Sequence, residues 1–382
     1  MEYKLYTDFP NEMLLQSHEL CLSLYMPTHQ IFQEIKKDVI VFKNLVKEVK
    51  SSLEISYSNR EIKPLISQLQ SMEDDLELWN HSKKGLAIFA TLSEMIVYQT
   101  DVEFDPIAIV SDSFHIKPMV EYHQNIEHYV LLALEAESFA VYLGTPYEIE
   151  PYVLPDDAKT TLHEVLGTQH TEQYQTHGVY GGASSRSTFH GHGGNSDETE
   201  LDRPKFFKHV NQYVDEEVNQ KLKLPMILVS LKEHHFEFRK SSNNPWIIEQ
   251  SIEGSWKDFS EDAILKEIQR INDQRFTMML DKSIVNYHNQ KNKDKSSDQL
   301  IIVLKALLDS RVDTLLIEKN KILPGKIDMM NKQIIQSPIE DPQTDDLLDD
   351  MVQHAFLTGT KVYIIDKELM PTNSGVAAIF RY

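Results

Sequence analysis

The sequence predicts an α/β protein built as three domains, on three observations. Stretches with apolar residues three and four apart alternate with short apolar runs along most of the chain. At 382 residues there is room for two or three domains of ordinary size. A polar, glycine-rich stretch then interrupts the middle, between elements that otherwise follow one another closely. The expected boundaries are 1–124, 125–253 and 254–382.

In the first segment, residues 20–26 are an apolar run ended by Pro27, as in a buried strand. Val39, Phe42, Val46, Val49 and Leu53 share one helical face. A second helix is expected over residues 61–79, with Leu65, Leu69, Met72, Leu76 and Trp79 inward. Gly85–Ala90, Met95–Thr100 and residues 107–110 read as strands. Cys21 lies in the first apolar run, where burial is its expected state.

The second segment opens with Tyr129–Leu134 and residues 139–143, a β-hairpin by pattern. Polar sequence follows until Phe206, where a helix carrying Phe207, Val210, Val214, Val218 and Leu222 is expected. Pro225 ends it, and residues 226–231 form the best buried strand of the chain. In the third segment, a long amphipathic helix over 261–288 leads into a stretch holding Lys291, Lys293 and Lys295. A helix over 298–308 feeds the strand Val312–Glu318. Asp341 and Pro342 look like a helix start, an acid at the N-cap and proline in the first turn. Leu347, Leu348, Met351, Val352, Ala355 and Phe356 repeat at helical spacing, with Asp345, Asp346, Asp349 and Asp350 outside. Lys361–Ile365 and residues 377–380 complete a sheet, giving an α/β/α sandwich.

The chain holds 38 basic and 59 acidic side chains, a formal net charge of −21. Residues 1–125 carry 11 basic against 19 acidic, residues 126–254 carry 10 against 20, and residues 255–382 carry 17 against 20. Affinity for nucleic acid comes largely from Lys and Arg displacing counterions, so any RNA contact must be local. No run approaches the ~18 apolar residues of a membrane span, and the first ten residues lack the apolar core of a signal peptide. Cys21 is the single cysteine, which excludes an intramolecular disulfide and a thiolate-rich zinc site. A soluble, cytoplasmic chain with no cofactor and no membrane contact is expected.

Six of the 13 glycines fall in residues 178–194: Gly178, Gly181, Gly182, Gly191, Gly193 and Gly194. His163, His170, His177, His190 and His192 crowd the same neighbourhood. Apolar side chains are nearly absent, so this loop, bounded at 177–195, has no core to join and is expected to be mobile in the free protein. Three readings compete. It is a flexible insertion without chemistry, a finger carrying Arg186 toward a partner, or a metal site on His190 and His192. The last lacks the acidic or thiolate ligands that usually complete four-coordination, and no metal is expected. The nucleophile elbow, the phosphate loop and the two-histidine zinc helix are all missing. His234 and His235 read as a pair starting a helix at the surface. The acids at 345–350 suit the positive end of a helix better than a magnesium site.

Taken together, three segments, a glycine-rich loop in the middle one and a C-terminal α/β/α unit resemble one family. It is the bacterial branch of the archaeo-eukaryotic peptide-chain release factors, the Pelota- and Balon-like proteins. The stretches that carry the resemblance are Leu22-Ser-Leu-Tyr-Met-Pro-Thr28, Lys84-Gly-Leu-Ala-Ile-Phe89 and Ser113-Phe-His-Ile-Lys-Pro-Met119. Later in the chain they are Ser310-Arg-Val-Asp-Thr-Leu-Leu316 and Gly375-Val-Ala-Ala-Ile-Phe-Arg-Tyr382. The resemblance implies a first domain facing the decoding site, and a ribonuclease-H-like middle domain whose loop points to the peptidyl-transferase centre. It implies a third domain like kink-turn-binding ribosomal proteins.

Release factors of the family carry Gly-Gly-Gln at the loop tip, where the glutamine positions water against the peptidyl-tRNA ester. Here Gly181-Gly182 is followed by Ala183. The resemblance therefore implies a ribosomal A-site factor for hibernation or rescue, without peptidyl-tRNA hydrolysis. The contact residues expected are Gly178, Gly181, Gly182, Ala183, Ser184, Ser185, Arg186, His190 and His192 in the loop. Lys291, Lys293 and Lys295 would add basic contacts, with Lys319, Lys321 and Lys326 also available. The partners implied are ribosomal RNA, the tRNA site and a translational GTPase. Two alternatives are a hydrolase acting through the His/Gly-rich loop, and a protein-interaction module with no ribosome contact.

Overall fold

The computed structural model describes residues 3–16, 18–167, 195–335 and 345–382. The chain packs as two compact units, Met1–Asn125 with Phe276–Tyr382, and Ile126–Arg275.

In the first unit, the N-terminal sheet holds β1 (Tyr3–Leu5), β2 (Cys21–Pro27), β3 (Gly85–Ala90), β4 (Met95–Thr100) and β5 (Ile107–Ser111). Their order is β1-β4-β3-β2-β5, antiparallel except for the β1–β4 pair. β2 is apolar apart from Ser23 because both of its faces are covered. Leu22, Leu24 and Met26 meet α1 (Phe32–Ser56) and α2 (Asn59–Met72), while Cys21 and Tyr25 face a second cluster. The single helix expected over 61–79 is two helices. Asp75 caps the short α3 (Leu76–Asn80) by accepting from the N–H groups of Glu77 and Leu78, both at 3.1 Å.

That second cluster joins the N-terminal sheet to α4 (Lys117–Gln124) and to the C-terminal part of the unit. There β11 (Ser296–Ser297), β12 (Val312–Glu318), β16 (Lys361–Ile365) and β17 (Val376–Phe380) pair in the order β11-β17-β12-β16. α10 (Leu300–Leu308) and α11 (Leu347–Leu357) cover one face of this sheet. Phe276, Leu280 and Tyr287 of α9 (Glu261–Lys291) cover the other. This is the α/β/α arrangement expected. Three short strands, β13 (Pro324–Asp328), β14 (Gln333–Ile335) and β15 (Asp345–Asp346), form a separate small sheet that the sequence reading missed. Asp341 and Pro342 lie outside the described residues, and α11 takes Asp346 as its N-cap instead.

The second unit is built on β6 (Tyr129–Leu134), β7 (Phe139–Gly144), β8 (Ile149–Pro151), β9 (Met226–Ser230) and β10 (Ile247–Glu253). The order is β10-β9-β6-β7-β8: a three-stranded meander with two more strands laid parallel beside its first. One face packs on α5 (Leu162–Leu166), α6 (Asn195–Val214) and Phe238 of α8 (Lys232–Ser241). The other packs on Ile264, Ile268 and Ile271 of α9. α6 starts at Asn195 rather than at Phe206, and a π-helical turn (Asp215–Asn219) passes it into α7 (Gln220–Leu222).

Candidate functional site

The loop residues singled out by sequence, Gly178, Gly181, Gly182, Ala183, Ser184, Ser185, Arg186, His190 and His192, lie outside the described residues. The two helices on either side of that stretch are described. α5 is fixed by a capping box, in which Thr161 Oγ1 accepts from the Glu164 N–H and Glu164 Oε2 accepts from the Thr161 N–H. It buries Leu162 and ends at Gly167, whose φ of +53° suits a residue without Cβ. α6 buries Phe206, Phe207, Val210 and Val214 in the same core cluster. Both roots of the loop are therefore anchored in one packed layer.

His234 and His235 start α8 as expected, but they are buried rather than at the surface. His235 Nε2 is 2.9 Å from the Ser230 carbonyl oxygen, so that nitrogen carries the proton and donates. The His234 ring meets Phe207 edge-on at 5.5 Å. Burial pushes both imidazoles below their ordinary pKa and keeps them neutral. The His234 ring belongs to the core that carries the loop roots. Among the described residues, no group of three or more His, Cys, Asp or Glu side chains is placed to hold a metal ion. Among the same residues, no helix is long and apolar enough to cross a membrane.

Lys291, Lys293 and Lys295 are exposed where α9 ends and the chain turns through Asp294, at a φ of +56°. Lys291 lies 3.9 Å from Asp298 and 5.8 Å from the Tyr287 ring centre. Lys319 pairs with Glu121, Lys326 with Asp112 at 2.8 Å, and Lys321 sits 3.6 Å from Glu318. Those lysines are largely neutralised within the protein. Lys293 and Lys295 meet no carboxylate among the described residues.

A buried polar constellation forms around acids that the sequence reading placed in solvent. Asp349 is fully buried. Its carboxylate accepts from the N–H groups of Ile116 at 3.0 Å and Lys117 at 2.8 Å, so α11 caps the start of α4. Lys117 Nζ donates to Asp346 and, at 2.9 Å, to the Lys321 carbonyl oxygen. His115 Nδ1 lies 3.2 Å from Asp349 Oδ1. Ser113 Oγ donates to Asp350 at 2.7 Å, and Gln353 Nε2 to the Phe114 carbonyl at 2.8 Å. Burial lifts the Asp349 carboxyl to about 8, although Lys117 and the two backbone donors pull the other way. The stretch 113–117, prominent in the sequence resemblance, thus joins the N-terminal and C-terminal parts of the first unit. Paired this closely, these groups hold the seam.

Residues 127–274 match the family model described as Bacterial archaeo-eukaryotic release factor family 6. The matched residues coincide, to one residue at each end, with the second unit. No curated protein matches the chain. Among solved structures it is similar to the archaeal translation termination factor aRF1, at 14% identity, over 97% of this chain and 95% of that one, with a TM-score of 0.23. A ribosome-bound archaeal Pelota is similar at 12% identity, 75% and 71% coverage and a TM-score of 0.38. A translation termination-like factor of S. cerevisiae is similar at 14% identity, 78% and 79% coverage and a TM-score of 0.34. The family match, not these distant superpositions, bears out the resemblance over residues 127–274.

Proposed function

We propose that this chain, whose residues 127–274 fall in the bacterial archaeo-eukaryotic release factor family, is a ribosome-associated translation factor that does not hydrolyse peptidyl-tRNA. One observation carries the second half of that reading: Ala183 follows Gly181-Gly182 where release factors of the family have glutamine. A glutamine amide has both donors and an acceptor with which to orient water, and a methyl group has neither. The neutral, buried state of His234 and His235 supports the same reading, since neither is available as a surface base. The factor would enter the ribosomal A site with the loop around Ala183 foremost, in hibernation or rescue. Arg186, Lys293 and Lys295 would meet RNA there. Delivery by a translational GTPase and action in the cytoplasm belong to the same proposal.

The test is a release assay on ribosomes carrying labelled peptidyl-tRNA. The full chain should release peptide no faster than ribosomes alone. The Ala183→Gln variant should gain little, because one side chain does not restore the surrounding geometry. Release by the unaltered chain well above background would make it a hydrolase.

A further inference from the structure

We propose that a cleft in the first unit, distinct from the loop and the basic turn, binds a small organic cation: an amine on an apolar stem. The cleft encloses about 300 Å³ between the segment 103–121 and the connection that follows β12. Its mouth is apolar, with Ile107 37% and Ile322 51% exposed on opposite sides. Exposed isoleucines flanking a cleft offer a place for another apolar group. Phe104 lines the wall and meets Tyr25 edge-on at 5.1 Å, which holds an aromatic ring beside the space.

Charge decides what the apolar stem should carry. The two lysines of the lining are already matched, Lys117 by Asp346 and Lys319 by Glu121. Asp349 lies behind Lys117 and adds no positive charge. Glu103 and Asp105 remain, both exposed at the rim on either side of Phe104. The His29 imidazole feels Glu103, but its own hydrogen bond goes to Asp38. No lysine or arginine pairs with either rim carboxylate among the described residues. An anion entering the cleft would meet two carboxylates with no lysine or arginine partner, whereas a cation would be attracted by both. The walls come from Tyr25, from residues 103–121 and from residues 319–364, so the site exists only when the first unit is folded. A ligand there must raise its stability. This inference does not depend on the ribosome.

Phenethylamine, with phenethyl alcohol and phenylacetate as neutral and anionic matches of similar size, tests the proposal by calorimetric titration and thermal unfolding of the full chain. The amine should bind saturably at one site per chain and raise the unfolding temperature. The alcohol should bind about tenfold more weakly and the acid not measurably, the charge accounting for the difference. Glu103→Gln with Asp105→Asn, both at exposed positions, should cut amine affinity about tenfold and leave the alcohol unchanged. Ile322→Arg should block the amine by placing a cation at the mouth. Absence of amine binding up to millimolar concentration would overturn the proposal. So would equal binding of the acid, or amine binding that survives the double rim substitution, which would mark diffuse attraction to an acidic chain.

Discussion

Asp349 has no route to water, and its proton balance is set by what faces it. Those groups are Lys117 and His115 at the start of α4, Asp346 on its own helix, and Tyr25 from β2, whose hydroxyl donates to the His115 carbonyl at 2.5 Å. Burial raises the acid from its ordinary value to about 8, so between roughly pH 4 and 8 the folded chain holds a proton that the unfolded chain releases. The stabilisation is full below the unfolded pKa and is lost as pH rises through about 8. Asp349→Asn, a neutral match for the protonated acid, should therefore flatten the decline in stability over that range in urea unfolding at stepped pH. An unchanged pH slope in the variant would show that Asp349 is ionised when folded. Lys117→Met is a different lesion, because it strands Asp346, 6% exposed, without its cation. Breaking a buried pair from one side costs about 3–5 kcal/mol, and equilibrium unfolding should show a loss of that order.

Elements were legible where one stretch of sequence carries the whole signal. β2 is a continuous apolar run because two layers cover it, and the face of α1 repeats every three or four residues. The start of α11 was misplaced because the dipeptide at 341–342 has the chemistry of a cap. The acid that does cap is Asp346, which the chain brings against Leu323 and Leu348. Asp349 looked like a solvent-facing acid because its donor, Ile116, stands 233 residues away. His234 and His235 were misread for the same reason: Phe207 meets the His234 ring from α6, and the Ser230 and Ile252 carbonyls meet His235, all from outside α8. At the loop, sequence gave the candidate residues but not their placement. Phe207 is fully buried in the same cluster as Leu162 of α5. Phe207→Ala should cost about 3–5 kcal/mol by unfolding, whereas Arg186→Glu should leave stability unchanged and weaken ribosome binding.

For the molecule as a whole, the net charge of −21 argues against a broad positive face, and ion pairs engage Lys319, Lys321 and Lys326. Lys293→Glu with Lys295→Glu should weaken ribosome binding, and adding Lys291→Glu should weaken it little further, since Lys291 already faces Asp298. A triple variant that binds as well as the original would reduce this turn to a solvated connection. Each phosphate contact contributes about −0.9 to the log–log salt slope. Two contacts then lower affinity only about tenfold for a fourfold rise in salt. Co-sedimentation of the full chain with ribosomes at low and physiological salt decides whether this acidic chain binds them through a few local contacts. The chain should pellet with ribosomes at both, with a modest loss at the higher salt; a chain that stays in the supernatant at both would contradict the account.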